Sequence, residues 1–117
     1  MQLNLMPNVP RTRALALVAM ATLLSACANI QFGRDFDLSR FKTHIQHDVT
    51  TQQQVSTWLG PPASTGTVVD TDGAQFERWM YYYGSGKLPR MEGARMKTLE
   101  IQFDANKVVK SYNWVGE

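Results

Sequence analysis

The sequence predicts an α+β domain in which two N-terminal helices pack on one face of a three-stranded antiparallel meander. Apolar residues recur at helical spacing up to Gly60, whereas apolar and polar residues alternate after Pro62 in the pattern of half-buried strands. Helices that precede sequential strands form a two-layer arrangement, so we expect both helices on the same face of the sheet. A chain of 117 residues suffices for one such domain.

The first helix is predicted to begin at Asp37 or Ser39, since either side chain can cap it, and to run to about His47. Its apolar residues lie three and four positions apart and form one stripe, which consists of Leu38, Phe41 and Ile45. This stripe is expected to face the sheet.

The second helix has the clearest boundaries. Thr50 and Gln53 match a capping box, in which the threonine hydroxyl accepts from the Gln53 amide and the glutamine side chain reaches back. Gly60 follows as a stop, and two prolines forbid continuation, so the helix is predicted to end within one residue of Leu59. Its buried stripe consists of Val55, Trp58 and Leu59.

Alternation of side chains predicts the first full strand over residues 76–83, after a short strand at residues 67–69 and a hairpin turn at residues 72–73. One face of the full strand carries Trp79, Tyr81 and Tyr83. The other face carries Arg78, Met80 and Tyr82.

Residues 84–93 are predicted as a long, basic loop, and residues 96–103 as the second full strand. The inward residues of that strand are Leu99, Ile101 and Phe103. A tight turn over residues 104–107, with Asn106 suited to a positive φ, leads to the last strand at residues 108–114. Its inward face fits Val108, Tyr112 and Trp114 best, and Lys110 shares that face.

The start of the chain has the pattern of a bacterial lipoprotein signal. Arg11 and Arg13 precede an apolar run over residues 14–24, and Leu-Ser-Ala before Cys27 resembles the lipobox, in which the cysteine is lipidated and becomes the new N-terminus. As a helix, residues 14–26 would extend about 20 Å, whereas a bilayer core of about 30 Å needs about 20 apolar residues. Cys27 is the only cysteine, so no internal disulfide can form.

This interpretation divides the chain into a signal peptide at residues 1–26, a lipidated cysteine and tether at residues 27–37, and a folded domain at residues 38–117. Many lipoproteins retained in the inner membrane have an aspartate at the position of Ala28, and alanine there is compatible with export to the outer membrane. The alternatives are a membrane-spanning helix and a secreted protein with an unmodified cysteine. Removal of the signal peptide leaves equal numbers of basic and acidic residues, so composition does not support nucleic-acid binding.

Three short patterns bear on metal or catalytic chemistry, and each lacks a necessary part. His44 and His47 lie three residues apart beside Asp48, but the sequence has no further histidine or free cysteine to complete a zinc site. Residues 70–73 lack the glycine and glutamate positions of a calcium loop, and residues 84–86 lack the Gly-x-Ser-x-Gly pattern of a hydrolase. We therefore predict no catalytic residue, no metal, no cofactor and no small-molecule substrate.

Seven motifs occur in a fixed order over residues 38–110. They are Ile45, Thr50-Thr51, Val55, Leu59-Gly60-Pro61, Trp79-Met80-Tyr81-Tyr82-Tyr83, Leu99-Glu100-Ile101-Gln102-Phe103-Asp104 and Val108-Val109. This ordered set resembles the SmpA/OmlA (BamE-like) family of outer-membrane lipoproteins. The resemblance implies a helix-helix-strand-strand-strand fold. It also implies a role like that of the best-known member, a non-enzymatic subunit of the β-barrel assembly machinery that binds partner lipoproteins and the barrel subunit and contacts anionic phospholipid.

The chain departs from the family at two turns. Asp48 stands where the family usually has glycine between the helices, and Asn106-Lys107 replaces the usual Asn-Gly of the last turn. Aspartate tolerates a left-handed φ, so the fold is expected to survive both changes. The family's partner-binding residues are not motif-like and none is carried over, which leaves a paralogue outside the assembly machinery as an alternative.

Two groups of residues are candidate contact surfaces. The first lies on the uncovered face of the predicted sheet and consists of Arg78, Met80 and Tyr82. Residues of these types are favoured in protein interfaces, and the alternative is a partly exposed polar sheet face. The second surrounds the long loop and consists of Lys87, Arg90, Arg95 and Lys97. It is a candidate for contact with anionic lipid headgroups, and the alternative is a solvated loop.

We therefore expect a lipoprotein held in the outer membrane of a Gram-negative bacterium by the lipid on Cys27 and facing the periplasm. Its expected role is that of a non-catalytic binding or scaffold module in β-barrel protein assembly or envelope integrity, with barrel-assembly subunits as protein partners. The alternative is a structural envelope lipoprotein that binds anionic lipid or the cell wall outside the assembly machinery. A small inhibitor or enzyme with the same fold is the third possibility.

Overall fold

The structure, a computed structural model, describes residues 28–117. Over this range the chain forms two helices and a sheet of five antiparallel strands. In chain order the elements are β1 (Asn29–Gly33), α1 (Leu38–His44), α2 (Gln52–Leu59), β2 (Ser64–Val69), β3 (Gln75–Lys87), β4 (Glu92–Phe103) and β5 (Val109–Val115).

The prediction of a three-stranded meander is wrong, because the sheet has five strands. β3 is the central strand: β4 pairs along one edge, and β1 and β2 share the other edge. β2 pairs with the first half of β3, from Val69 opposite Gln75, and β1 pairs with the second half, as far as Asn29 opposite Lys87. β5 completes the sheet on the far side of β4.

The strand β1 lies in the segment that the sequence predicts to be a tether. Only Ile30 and Phe32 alternate with polar residues there, which is too short a pattern to distinguish a strand from a linker. The residues that pair with β1 lie more distantly in the sequence, at Tyr83 to Lys87. The strand therefore forms because the edge of β3 is available for pairing, and the local sequence of β1 does not indicate that edge.

Residues 84–93 are predicted to be a loop, but most of them belong to strands. β3 continues to Lys87 and β4 begins at Glu92, so only residues 88–91 reverse the chain. The result is a long hairpin, whose reversing segment together with Lys87 we call the hairpin tip (residues 87–91).

In the segment where a loop is predicted, β3 contains two glycines that lie beneath side chains of other residues. A Cβ on Gly84 would overlap the Phe32 ring, and a Cβ on Gly86 would lie 2.6 Å from Cε of Met91. Glycine normally weakens a strand, but here each one makes room for a side chain that lies across it. The glycines therefore mark close packing on the sheet and not a flexible connection.

The hydrophobic core lies between the helices and one face of the sheet, which we call the inner face. Its buried apolar residues are Phe36, Leu38, Phe41, Val55, Leu59, Tyr81, Leu99, Ile101, Phe103 and Val109. The inward face predicted for β4 is confirmed, since Leu99, Ile101 and Phe103 are fully buried. Tyr81 donates its hydroxyl to the Gly60 carbonyl at 2.8 Å, and burial raises its pKa.

Helix α1 is shorter than predicted and ends at His44. Its start is capped by Asp37, whose Oδ1 accepts from the Arg40 amide at 2.9 Å. The helix stops because Ile45 is extended and the Gln46 amide donates to the buried Thr50 hydroxyl at 2.8 Å. That hydrogen bond turns the chain towards α2.

Helix α2 ends at Leu59, as predicted, and Gly60 follows with a φ of 78°. The predicted capping box is wrong by one residue. Thr51 is the N-cap and forms the box with Gln54, because the Thr50 hydroxyl is already engaged.

The last turn and strand differ from their prediction by one position. Lys107, not Asn106, has the positive φ of 62°. A register shift beside Phe103 brings Val109 into the core in place of the predicted Val108. Asp48 has a φ of 63°, which confirms the expected left-handed turn between the helices.

Candidate docking surfaces

The outer face of the sheet, opposite the helices, carries the first predicted group. Arg78, Met80 and Tyr82 lie on it, because they alternate along β3 with residues of the inner face such as Tyr81. Neither of the described helices packs on this face, since both contribute to the core on the inner side. Within residues 28–117, the outer face is therefore not covered by a helix.

Arg78 lies flat against the sheet instead of extending into solvent. A Cβ on Gly66, its neighbour in β2, would lie 3.3 Å from Nη2 of Arg78. Its Nε is buried and has no hydrogen-bond partner among the described residues. Arg78 thus gives this end of the outer face a polar surface that lies close to the strands.

The other half of the outer face is apolar. Tyr82 lies in a row with Thr98 and Val115, and the adjacent row contains Phe32, Gly84 and Met96. The four large side chains in these rows are between 39% and 62% exposed. We call them the outer apolar patch, which consists of Phe32, Tyr82, Met96 and Val115.

Alternation along the sequence places Tyr82 on the outer face, but it does not bring the other three members of the patch to Tyr82. Tyr82 follows from alternation along β3, but Phe32 and Met96 become neighbours only through the register of β1 and β4 against Gly84. Two signals were available in the sequence. Ile30 and Phe32 alternate with polar residues, and Gly84 stands among larger residues in β3. Neither pattern says which strands meet.

The predicted lipidation site, Cys27, and the predicted signal peptide lie outside the described residues. Ala28 is the first described residue, and its carbonyl accepts from the Leu88 amide at 3.4 Å. Asn29 lies opposite Lys87 in the sheet. The chain that follows Cys27 therefore starts directly at the hairpin tip.

The predicted basic group separates into two parts. Lys87, Arg90 and Arg95 are exposed at or near the hairpin tip, and none of them forms an ion pair with another described residue. Leu88 lies between them at the tip and is 42% exposed. The tip thus presents an apolar side chain among unpaired positive charges.

Lys97 lies apart from the other three and is engaged within the domain. Its side chain is only 13% exposed, and its Nζ lies 2.6 Å from the Asp35 carboxylate. Nζ also donates to the Phe36 carbonyl at 2.5 Å and lies 5.0 Å from the centre of the Phe36 ring. The hydrogen bond from Lys97 holds the pKa of Asp35 below its usual value. Through these contacts, Lys97 therefore holds the segment between β1 and α1 against the sheet.

The two histidines are used in local contacts. Nδ1 of His44 donates to the Arg40 carbonyl at 2.9 Å, and Nε2 of His47 donates to the Lys110 carbonyl at 2.7 Å. Nδ1 of His47 lies 3.1 Å from Asp48, which also accepts from Lys110 at 2.6 Å. Within residues 28–117, no group of three potential ligands is arranged to hold a metal ion.

No protein-family model matches the chain, and no curated protein matches it. In the part of the chain that the structure describes, no helix is long and apolar enough to cross a membrane. The outer apolar patch and the hairpin tip are therefore the two features from which we infer a function.

Proposed function

We propose that the protein is a lipoprotein of the Gram-negative outer membrane, facing the periplasm, that acts as a non-catalytic binding module in β-barrel protein assembly or envelope integrity. The lipobox at Cys27 and the resemblance to the SmpA/OmlA (BamE-like) family support the location. The observation that carries the binding role is the outer apolar patch, whose side chains remain exposed on a sheet face that no described helix covers.

The chemistry of the patch supports a protein partner. An antiparallel sheet with one face in water usually presents polar side chains there. Here two aromatic residues and a methionine lie in adjacent rows of the sheet, and Arg78 and Met80 are half-buried on the same face. Aromatic residues, methionine and arginine are enriched in interfaces, and clustered exposed apolar residues mark interaction sites.

The test is capture of barrel-assembly subunits from solubilised membranes by the full acylated protein. Replacing both Tyr82 and Met96 by serine should reduce their recovery by about tenfold or more, since a few central apolar residues dominate most interfaces. The matched control replaces Val69, which is exposed to the same degree as Met96 but lies at the end of β2. Equal recovery with the patch variant and the control would contradict the assignment of the patch.

The lipid anchor has its own test. A Cys27→Ser variant should remain an unprocessed precursor without lipid, because acylation requires the thiol as the nucleophile. Palmitate labelling and the mass of the protein from its native host measure this directly. Normal labelling of the serine variant would contradict the lipoprotein assignment.

A second candidate function is a structural envelope lipoprotein that binds anionic lipid or the cell wall. Lys87, Arg90 and Arg95 favour it, because they are exposed and form no ion pair with another residue of the described range. Each basic side chain near a charged surface contributes about 1 kcal/mol. Neutralising these three residues should weaken binding to vesicles that contain phosphatidylglycerol at low salt. Neutralising Lys42 and Lys107 instead, which lie away from the tip, is the control. Unchanged binding of the triple variant would exclude binding of anionic lipid through these residues.

A further inference from the structure

We infer that the hairpin tip rests on the bilayer and inserts Leu88 into it, so that the sheet stands on the membrane with the helices held away from it. This inference rests on the proposed lipid anchor at Cys27. It commits to a lipid surface as the occupant of the tip and does not require an anionic headgroup.

The first argument is the short path from the anchor to the tip. The Ala28 carbonyl accepts from the Leu88 amide, and the next residue, Asn29, is paired with Lys87. Consecutive Cα atoms are about 3.8 Å apart, so a lipid carried by the residue before Ala28 would be attached close to the tip. A ten-residue flexible tether would let the domain move well away from the bilayer. Residues 29–33 are instead a strand of the sheet, so they cannot act as such a tether.

The second argument is the composition of the tip. Leu88 is 42% exposed, and Pro89 beside it is also exposed. Lys87 and Arg90 flank these two apolar residues. Long basic side chains can bury their stems and keep their charges at the headgroup level while an apolar residue between them enters the bilayer. The tip therefore has the chemistry of a segment that lies at a membrane interface.

The third argument concerns what the tip leaves above the membrane. β4 has 12 residues and rises from the tip by about 3.3 Å per residue, so its far end stands about 40 Å away. The residues of β4 that pack against the helices, Leu99 to Phe103, belong to that far end. The outer apolar patch begins near Gly84, about 10 Å above the tip. A protein partner of the patch would therefore be held close to the bilayer surface.

The experiment is a site-specific labelling experiment, which is possible because the chain has a single cysteine. Because acylation occupies the sulfur of Cys27, a Leu88→Cys substitution provides one free thiol for a fluorescent label. The full acylated protein is reconstituted into vesicles of pure phosphatidylcholine that carry nitroxide groups on their acyl chains. The control carries the label at Val69→Cys, which is exposed but lies at the other end of β3. We expect several-fold stronger quenching of the label at position 88 than at position 69.

A second measurement places the label at Glu92→Cys, beside the tip, with Leu88 either retained or replaced by serine. Loss of the apolar side chain should reduce quenching at position 92, because Leu88 is what enters the bilayer. Equal quenching at positions 88 and 69, or quenching at position 88 only when phosphatidylglycerol is added, would overturn the inference while the anchored function stands. Failure of the protein to float with the vesicles would overturn the inference and the proposed function together.

Discussion

Gly84 sets the shape of the outer apolar patch. It has no side chain of its own, and the Phe32 ring of β1 lies across the space where a Cβ would be. Met96 is the neighbour of Gly84 on the other side, in β4. A single small residue in β3 thus allows an aromatic ring and a methionine from distant parts of the chain to approach one another.

A Gly84→Ala substitution should destabilise the protein by about 1–3 kcal/mol, because the added methyl group forces Phe32 out of position. Chemical denaturation measures the free energy of unfolding. In a Phe32→Ala background the same substitution should be neutral or slightly stabilising, since alanine suits a strand better than glycine does. Equal effects in both backgrounds would show that the contact with Phe32 is not what requires glycine.

Asp48 should make stability depend on pH. The hydrogen bond from Lys110 holds the pKa of Asp48 below its usual value, with a further contribution from His47. Because the folded pKa is lower than the unfolded one, the stabilisation is complete above the unfolded pKa and is lost as pH falls through the folded pKa. Asp48→Asn, which keeps the left-handed turn, should therefore differ most from wild type near neutral pH.

Urea unfolding from neutral pH to about pH 2 measures this difference, which should vanish at the acid end. Lys110→Met is the control background, since it removes the main donor to Asp48. There the Asp48→Asn substitution should lose most of its pH dependence. A difference that persists at the lowest pH would mean that a neutral contact, and not the ionised carboxylate, is responsible.

The elements differ in how well local sequence determines them. The end of α2 follows from Gly60 and two prolines, and the inner face of β4 follows from strict alternation of large apolar residues. The start of α2 is ambiguous, because Thr50 and Thr51 each have a glutamine three positions later. Burial decides between them: the Thr50 hydroxyl is used by the Gln46 amide, so Thr51 becomes the cap.

The capping assignment gives a prediction at this scale. Thr51→Ala should destabilise the protein by about 1 kcal/mol, since it removes the hydroxyl that accepts from the Gln54 amide. Gln53→Ala is the matched control, because Gln53 is exposed and has no part in the cap. Its effect should stay within about 0.5 kcal/mol. A larger effect at Gln53 than at Thr51 would favour the cap at Thr50 instead.

Strand β1 could not be predicted from its local sequence, and the reason is physical. Its residues are mostly exposed, so it has no strong apolar pattern, and it is stabilised by backbone pairing with Tyr83 to Lys87. The same reason applies to the candidate surfaces. Alternation could place Arg78, Met80 and Tyr82 on one face, but Phe32 and Met96 join them only through strand register. Likewise, only the fold separates Lys97 from the other basic residues.

At the scale of the whole molecule, the sheet extends beyond the helices. The packed core surrounds Tyr81, Leu99 and Phe103, whereas the far halves of β3 and β4 are stabilised by strand pairing and by the side chains across Gly84 and Gly86. A small core of this kind leaves regions of unequal local stability. The hairpin tip and β1 belong to the less stable end.

Amide hydrogen exchange should reveal this gradient. Amides over residues 99–103 should exchange slowest, because they open only with the core, and those of β1 should exchange fastest among the strands. Phe32→Ala should accelerate exchange in β1 and leave residues 99–103 unchanged. Uniform exchange across all five strands would mean that the sheet opens as one cooperative unit.

The sharing of β3 between β1 and β2 also bears on the order in which the chain folds. The strands β3 and β4 are joined by only four residues, whereas pairing of β1 closes a loop of roughly fifty residues, which carries a greater entropic penalty. The segment of β3 that receives β1 also pairs with β4, so the hairpin presents this edge already in an extended conformation. We therefore expect the N-terminal strand to be added last, so that the start of the described chain reaches the hairpin only when the rest of the sheet has formed.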